Sequence, residues 1–329
     1  MDITLAQLSD IASTLSRPFV AFLYEDSVIY WPYLLSAGVL AIGISAITAK
    51  PADGGVPGAL RSQLSGKIWW VPSSRADYRY YIINSFVFGF IFAPLILAGA
   101  DAGKMVNSFL TSTLGPIQEP GLDASTLRIT YTICFFVAYD FGRFLAHWSQ
   151  HQIPLLWQFH KLHHSAEVLT PMTSYRVHPV DLLIMGTGGN LFGGIVTGIF
   201  FYIGAGEVTI FTFLGAHFLI GIYNLIGNLR HSHVWLDYGL LGYVFISPAQ
   251  HQIHHSMEPR HIGKNVGFAF AFWDALFGTL YVPKGKETFR MGLGDETDGD
   301  WHTVRRMYWW PFTMAARVLA GRNDNANNL

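Results

Sequence analysis

The stretch ITYTICFFVAYDFGRFLAHWSQH, Ile129 to His151, runs from an apolar segment of membrane-spanning character directly into two histidines four positions apart. On a helix, residues at i and i+4 share a face, so His147 and His151 would aim their imidazoles at one point just past the apolar run. Two further clusters repeat the device, His160-Lys-Leu-His163-His164 and His251-Gln-Ile-His254-His255. A single histidine on an apolar helix is usually a core residue or an interfacial anchor. Three clusters together, two of them spelling H-x-x-H-H-S, read as a metal site. Imidazole suits Zn, Cu, Fe and Ni, and one ion takes about four to six ligands. Eight clustered histidines exceed that need and predict two ions. The repeated hexapeptide (His160 to Ser165, His251 to Ser256) does not extend into its flanks, so it is one coordination need met twice rather than a duplicated domain.

The surrounding composition is that of a membrane protein. Of 329 residues, 51% are hydrophobic and only 13% charged, about half the charge of an average soluble domain. A net charge of −1 and the lack of a Lys/Arg block give no sign of a nucleic-acid partner. The single cysteine, Cys134, excludes an intrachain disulfide and cysteine-based zinc or iron–sulfur sites, which leaves ligation to histidine. Asp2, Glu25 and Asp26 precede the first long apolar run without a positive n-region, so the expectation is a retained anchor rather than a cleaved signal peptide.

Five segments approach the ~20 apolar residues needed to cross a bilayer. They are Val28 to Ile47, Tyr80 to Ala100, Ile129 to Ala146, Leu182 to Ile203 and Val208 to Ile226. The loop after the first carries Lys50, Arg61, Lys67, Arg75 and Arg79, and the positive-inside rule makes it cytoplasmic. Alternation then brings all three histidine clusters to the cytoplasmic face. Asp140 and Arg143 lie near the inner end of the third segment, where Asp140 is expected either to hold a histidine N–H or to pair with Arg143. Phe268 to Phe277 is too short to span and is expected in the interface or packed on the site. Trp301 to Leu319 reads as a cationic interfacial helix, and the Asn-rich tail from Gly321 as disordered. His217, mid-way along the fifth segment, either lines a channel or hydrogen-bonds a neighbouring helix. The expected fold is thus an all-α integral membrane protein with about five transmembrane helices. Residues 1–125 form an N-terminal membrane region, 126–285 the metal domain, and 286–329 an interfacial helix with its tail.

Soluble di-iron enzymes use Glu and Glu-x-x-His pairs on bundle helices. The only such match here, Glu258-Pro-Arg-His261, contains a proline that disfavours a helix. Neither an H-E-x-x-H motif nor a strand-flanked nucleotide fingerprint is present, so reducing equivalents must come from another protein.

From Asp140 to Tyr281 the chain resembles the fatty acid hydroxylase superfamily, also called the sterol desaturase family, of membrane di-iron oxygenases. The matching pieces include Asp140-Phe141 before His147-x3-His151, Leu156-Trp157-x2-His160-x2-His163-His164-Ser165 and Arg176-x-His178-Pro179. They continue through His231, Ser247-Pro248-x2-His251-x2-His254-His255, Lys264-Asn265-x-Gly267 and Trp273-Asp274-x2-Phe277-Gly278-Thr279. The resemblance implies two non-haem irons on the cytoplasmic face, held by His147, His151, His160, His163, His164, His231, His251, His254 and His255. It leaves His178 as a ligand or a catalytic residue behind the ligands alongside Asp140, and His233 as a rival to His231. The implied activity is O2-dependent hydroxylation or desaturation of a fatty acyl chain or sterol. Its electrons would come from a ferredoxin- or cytochrome b5-like donor docking near Lys161, Arg176, Arg260 and Lys264. Di-iron cleavage of a fatty aldehyde, or a metal transporter or store, are the alternatives.

Overall fold

In the computed structural model, residues 5–295, 297 and 299–322 are described; the tail residues 323–329, expected to be disordered, lie outside them. The chain begins with α1 (Leu5–Val20), α2 (Trp31–Thr48), α3 (Gly55–Gln63), α4 (Gly66–Trp69) and α5 (Pro72–Val87). It continues with α6 (Gly99–Leu114), α7 (Ala124–Gln152), α8 (Pro154–His164) and α9 (Pro179–Ile203). After a two-residue hairpin, β1 (Thr212–Phe213) and β2 (Ala216–His217), come α10 (Phe218–Gly227), α11 (Pro248–His254), α12 (Phe272–Phe277) and α13 (Val304–Leu319). The fold is an all-α integral membrane fold. Among the described residues, four helical runs are long and apolar enough to cross a bilayer: Trp31–Thr48, Pro72–Leu114, Ala124–Gln152 and Pro179–Ile203.

The frame of the site is the antiparallel pair α7 and α9. Glycines let their backbones touch: a methyl group on Gly142 would collide with the Gly188 carbonyl, and one on Gly188 would lie 2.7 Å from the Gly142 oxygen. Further along, Tyr131 packs on Phe200 and hydrogen-bonds Thr197 at 2.9 Å. Without a hydrophobic drive between helices in lipid, such close small-residue contacts supply the association. α6 lies along the other side of α9 by the same means, Gly103 against Gly194 and Gly198.

Two expected spans differ in detail. The second is interrupted between α5 and α6 by a π-turn at Phe88–Phe92 and a 3-10 turn at Ala93–Leu95. Pro94 explains the break, since it has no N–H to give the Phe90 carbonyl. The fifth is apolar and does run back beside α7, but its only helix is the ten-residue α10, about 15 Å long. Its first half is non-helical because Leu214 and Gly215 both take positive φ. Such backbone survives at membrane depth only when protein satisfies it. Here Thr132 Oγ1 accepts from Phe211 N at 3.0 Å, and Arg128 donates to the Ile210 carbonyl. His217 starts α10 with its ring stacked on Phe135 and Phe136.

The C-terminal helix α13 has the expected amphipathic character, with Trp309 and Phe312 exposed. Its other face is committed to the protein: Met307 and Trp301 are buried with Ala76, Tyr80 and Leu162, covering α8. The segment from Phe268 to Phe277, too short to span, packs on α7, with Trp273 against Phe141 and Phe277 against Phe144 and Trp148.

Candidate metal centre

The last turns of α7 deliver His147 and His151, α8 delivers His160, His163 and His164, the loop after α10 delivers His231, and α11 with its C-cap delivers His251, His254 and His255. All nine are buried. They sort into two groups whose ring nitrogens lie within 4.8 Å of one another: His147, His151, His160, His164 and His254 in one, His163, His231, His251 and His255 in the other. The groups adjoin through His164 and His255, whose rings stack at 4.7 Å.

Hydrogen bonds fix the tautomers in the first group. His147 Nδ1 donates to the Val266 carbonyl at 2.6 Å, His160 Nδ1 to Asp181 at 2.8 Å, and His254 Nδ1 to the Lys264 carbonyl at 2.8 Å. In neutral rings the proton on Nδ1 leaves Nε2 as a bare lone pair. Yet His147 Nε2 lies 3.0 Å from His160 Nε2 and 3.2 Å from His254 Nε2. Three lone pairs facing one another repel unless a cation sits among them. Nitrogens bound at about 2.0–2.1 Å to one ion stand roughly 3 Å apart, which is the separation seen. In the second group, His231 Nε2 lies 3.0 Å from His251 Nε2 and 3.3 Å from His163 Nε2, with Ser174 Oγ 2.9 Å from His231 Nδ1. His151 Nε2, His164 Nε2 and both nitrogens of His255 are buried without a hydrogen-bond partner among the described residues. Buried polar atoms are rarely left so, and metal ligation would satisfy one nitrogen of each ring.

Burial keeps six of these rings, His163, His164, His231, His251, His254 and His255, neutral and ready to ligate. It lowers His163 and His254 to about 3, and His164, His231, His251 and His255 well below the ordinary imidazole value. Beside the first group opens a cavity of about 190 Å³ bounded by His151, His164 and His254 together with Trp157, Met257 and Leu293.

Other sequence expectations land elsewhere. Asp140 holds no histidine and makes no ion pair with Arg143. Its carboxylate accepts from Ala269 N, Phe270 N and Trp273 Nε1 at 2.8, 3.2 and 3.0 Å, while the Arg143 guanidinium stacks over Phe268. Asp274 similarly accepts from Val266 N and Gly267 N. Together the two aspartates pin the strand of chain whose Val266 carbonyl orients His147. His178 lies outside both groups: its Nδ1 caps α9 by accepting from Val180 N, and its Nε2 is 3.2 Å from the Tyr308 carbonyl. His233 also lies outside both. Of the four expected docking cations, Arg176 is fully buried against Asp77 and Lys161 is buried near Asp295. Only Arg260 and Lys264 reach solvent. The residue missed is Asp181, which accepts from both His160 and Gln150. Its signal was its place in the first turn of a helix opened by His178-Pro179.

Residues 132–279 match the family described as fatty acid hydroxylase. This segment carries the chain's similarity to that family. The chain is similar to an ornithine lipid hydroxylase of Rhizobium tropici, 30% identical over 47% of this chain and 43% of that protein. It is similar also to the alkylglycerol monooxygenases of Caenorhabditis elegans, 30% identical over 50% of this chain and 29% of that one, and of Homo sapiens, 24% over 47% and 31%. The match spans less than half the length of each of these relatives. No solved structure matches at a significant level. The matched segment encloses all nine grouped histidines.

Proposed function

We propose that the chain is a membrane lipid hydroxylase with two non-haem irons. His147, His151, His160, His164 and His254 hold one ion, and His163, His231, His251 and His255 the other. The observation that carries this reading is the convergence of the His147, His160 and His254 Nε2 lone pairs at 3.0–3.2 Å. Once bound, the irons would supply O2 activation, with electrons from a separate carrier. The chain's own part is positional. Asp181 and the Val266 and Lys264 carbonyls hold three rings by Nδ1, α7 and α9 fix the depth of the first group, and Trp157, Met257 and Leu293 wall the adjoining cavity.

Hydroxylation is favoured over desaturation because the matched relatives are named as a hydroxylase and as monooxygenases of lipids. Both groups lie at helix ends rather than at the bilayer midplane, which favours an enzyme over a transporter. The cytoplasmic assignment rests on the basic loop after α2. Ser73 at the start of α5 hydrogen-bonds Glu167 N, and Arg79 the His302 carbonyl, so that loop shares the side of the histidines. Metal analysis of protein from its native source, joined to mass comparison of lipid extracts with and without the gene, tests the reading. Two irons per chain and lipids heavier by one oxygen are expected; one ion per chain, or lipids lighter by two hydrogens, would overturn it.

A further inference from the structure

Away from the histidine groups, two cavities share Leu169 and His233 in their walls. The larger-walled one, about 440 Å³, lies between α2 and α3 and is lined by Leu34, Ala37, Ala41, Leu64, Trp69 and Leu229 among others, with no charged side chain. Its volume falls in the range of small-molecule sites, about 300–1,000 Å³. The other, about 580 Å³, has Lys67 and Arg290 as cations in a largely apolar wall. Its single carboxylate among the described residues, Glu167, lies 3.0 Å from His302 Nε2 and so is already engaged.

The pair has the polarity of a bilayer lipid at its own depth. The apolar cavity follows residues Leu34 to Ile42 of the spanning helix α2, to which Gln63 Nε2 ties α3 through Ser45 at 2.9 Å, and the cationic one is reached through Lys67 and Ile68 of α4, which follows α3. Two polar atoms in the apolar cavity's wall have no hydrogen-bond partner among the described residues: Gln63 Oε1 and His233 Nε2. Gln63 Oε1 can only accept, so its missing partner is an N–H or O–H donor. None of the nine grouped histidines lines either cavity, and the cationic one shares a single wall residue, Met257, with the cavity bounded by His151, His164 and His254.

We propose that these joined cavities bind one amphiphile: an alkyl chain between α2 and α3, a hydroxyl or amide N–H at Gln63 and His233, and an anionic headgroup against Lys67 and Arg290. His233, an imidazole beside His231 that belongs to neither metal group, thereby acquires a ligand-facing role. The site stands independently of the proposed catalysis, because its occupancy is read as binding.

Purified full-length protein, metals retained, is titrated with oleoyl lysophosphatidic acid, which carries a chain, a hydroxyl and a phosphate, and bound lipid is counted by native mass spectrometry. Inorganic phosphate and oleyl alcohol serve as the headgroup-only and chain-only probes. Lys67→Glu with Arg290→Glu should weaken the phospholipid about tenfold while leaving oleyl alcohol nearly unchanged. Ala37→Trp, which fills the apolar cavity, should weaken both lipids, and Gln63→Leu should weaken both through their hydroxyls. Thermal melting identifies a variant that misfolds, and the surface pair Lys67 and Arg290 decides the matter if Ala37→Trp does. Inorganic phosphate binding as tightly as the lipid, or wild-type lipid affinity in the folded variants, would overturn the proposal. Lipid binding with no lipid hydroxylation would leave it standing and remove only the catalytic reading.

Discussion

Asp181 Oδ2 lies 2.8 Å from His160 Nδ1, with both side chains buried, so a carboxylate on α9 sets the direction of an imidazole on α8. The same carboxylate accepts from Gln150 Nε2 on α7, which ties three helices to one anion. A ligand ring held this way keeps its Nε2 aimed and more basic. Asp181→Asn removes the charge and forces one of its contacts to face an amide N–H. Metal content after purification should fall with an affinity loss of about 10–100-fold. Full metal loading in the folded variant would show that His160 needs no anion behind it.

Asp140 gives a contrasting expectation. Its carboxylate meets only donors from the 269–273 segment, so Asp140→Asn places an amide N–H against them and weakens hydrogen bonds to a charged group, each worth about 1.5–3 kcal/mol. A lowered melting temperature with two metals still bound is expected when the variant is folded. Metal loss at unchanged stability would instead place Asp140 in direct support of the histidines.

How far the site was legible follows from these two aspartates. Histidines at i, i+3 and i+4 advertise a shared face, so the nine grouped residues could be read from spacing and resemblance together. A single aspartate has no period. Asp140 stood three positions from Arg143, and a helix-end pair looked natural, but the Arg143 guanidinium found the Phe268 ring and left the carboxylate to the loop backbone. Asp181 looked like any acid in a helix's first turn; its partner lies 21 positions away and depends on tertiary packing. The spans were legible where composition decides them, as in α2, α7 and α9. The return along α7 was not, because hydropathy reports depth, whereas the turn at Leu214 and Gly215 reports backbone conformation.

The close approach of α7 and α9 predicts a sharp response to a small change. Gly142→Ala drives a methyl group into the Gly188 carbonyl, and backbone cannot yield as a side chain can. Overpacking of this kind costs about 1–3 kcal/mol. Because α7 carries His147 and His151, separation of the helices should lower both melting temperature and metal content. Gly43→Ala on α2, which meets nothing within 4 Å, is the control and should behave as the parent. Equal behaviour of the two variants would contradict the packing described.

Acid should release the metals and then the fold. Burial holds His163 and His254 at about 3, whereas the unfolded chain protonates them near 6.5. The folded values are the lower ones, so the unfolded state binds more protons as pH falls below about 6.5. Stability from these rings is therefore complete above that pH and is lost progressively toward pH 3. The slope is about 1.4 kcal/mol per pH unit for each histidine. Melting of chelator-treated protein should be level from about pH 8 to about pH 6.5 and fall steadily below. A profile level down to about pH 4 would mean that the rings are not buried neutral.

The exposed cations near the centre bear on how electrons arrive. With Arg176 and Lys161 buried, an acidic carrier is left with Lys264 and Arg260, and Arg260 already pairs with Glu287 at 2.7 Å. Lys264 is the cleaner probe: among the described residues its ammonium donates only to the Gly278 carbonyl, while its backbone carbonyl, which holds His254, is untouched by substitution. Lys264→Glu should slow reduction by a ferredoxin- or cytochrome b5-like donor, and added salt should slow the parent protein in the same direction, since charge-steered encounters weaken as ions screen them. Arg260→Glu should also slow it, but with a stability loss from the broken Glu287 contact that Lys264→Glu does not share. Stopped-flow reduction at rising ionic strength reads both effects. Salt-independent reduction, or full turnover with NADPH and O2 and no carrier added, would remove this face as the docking surface.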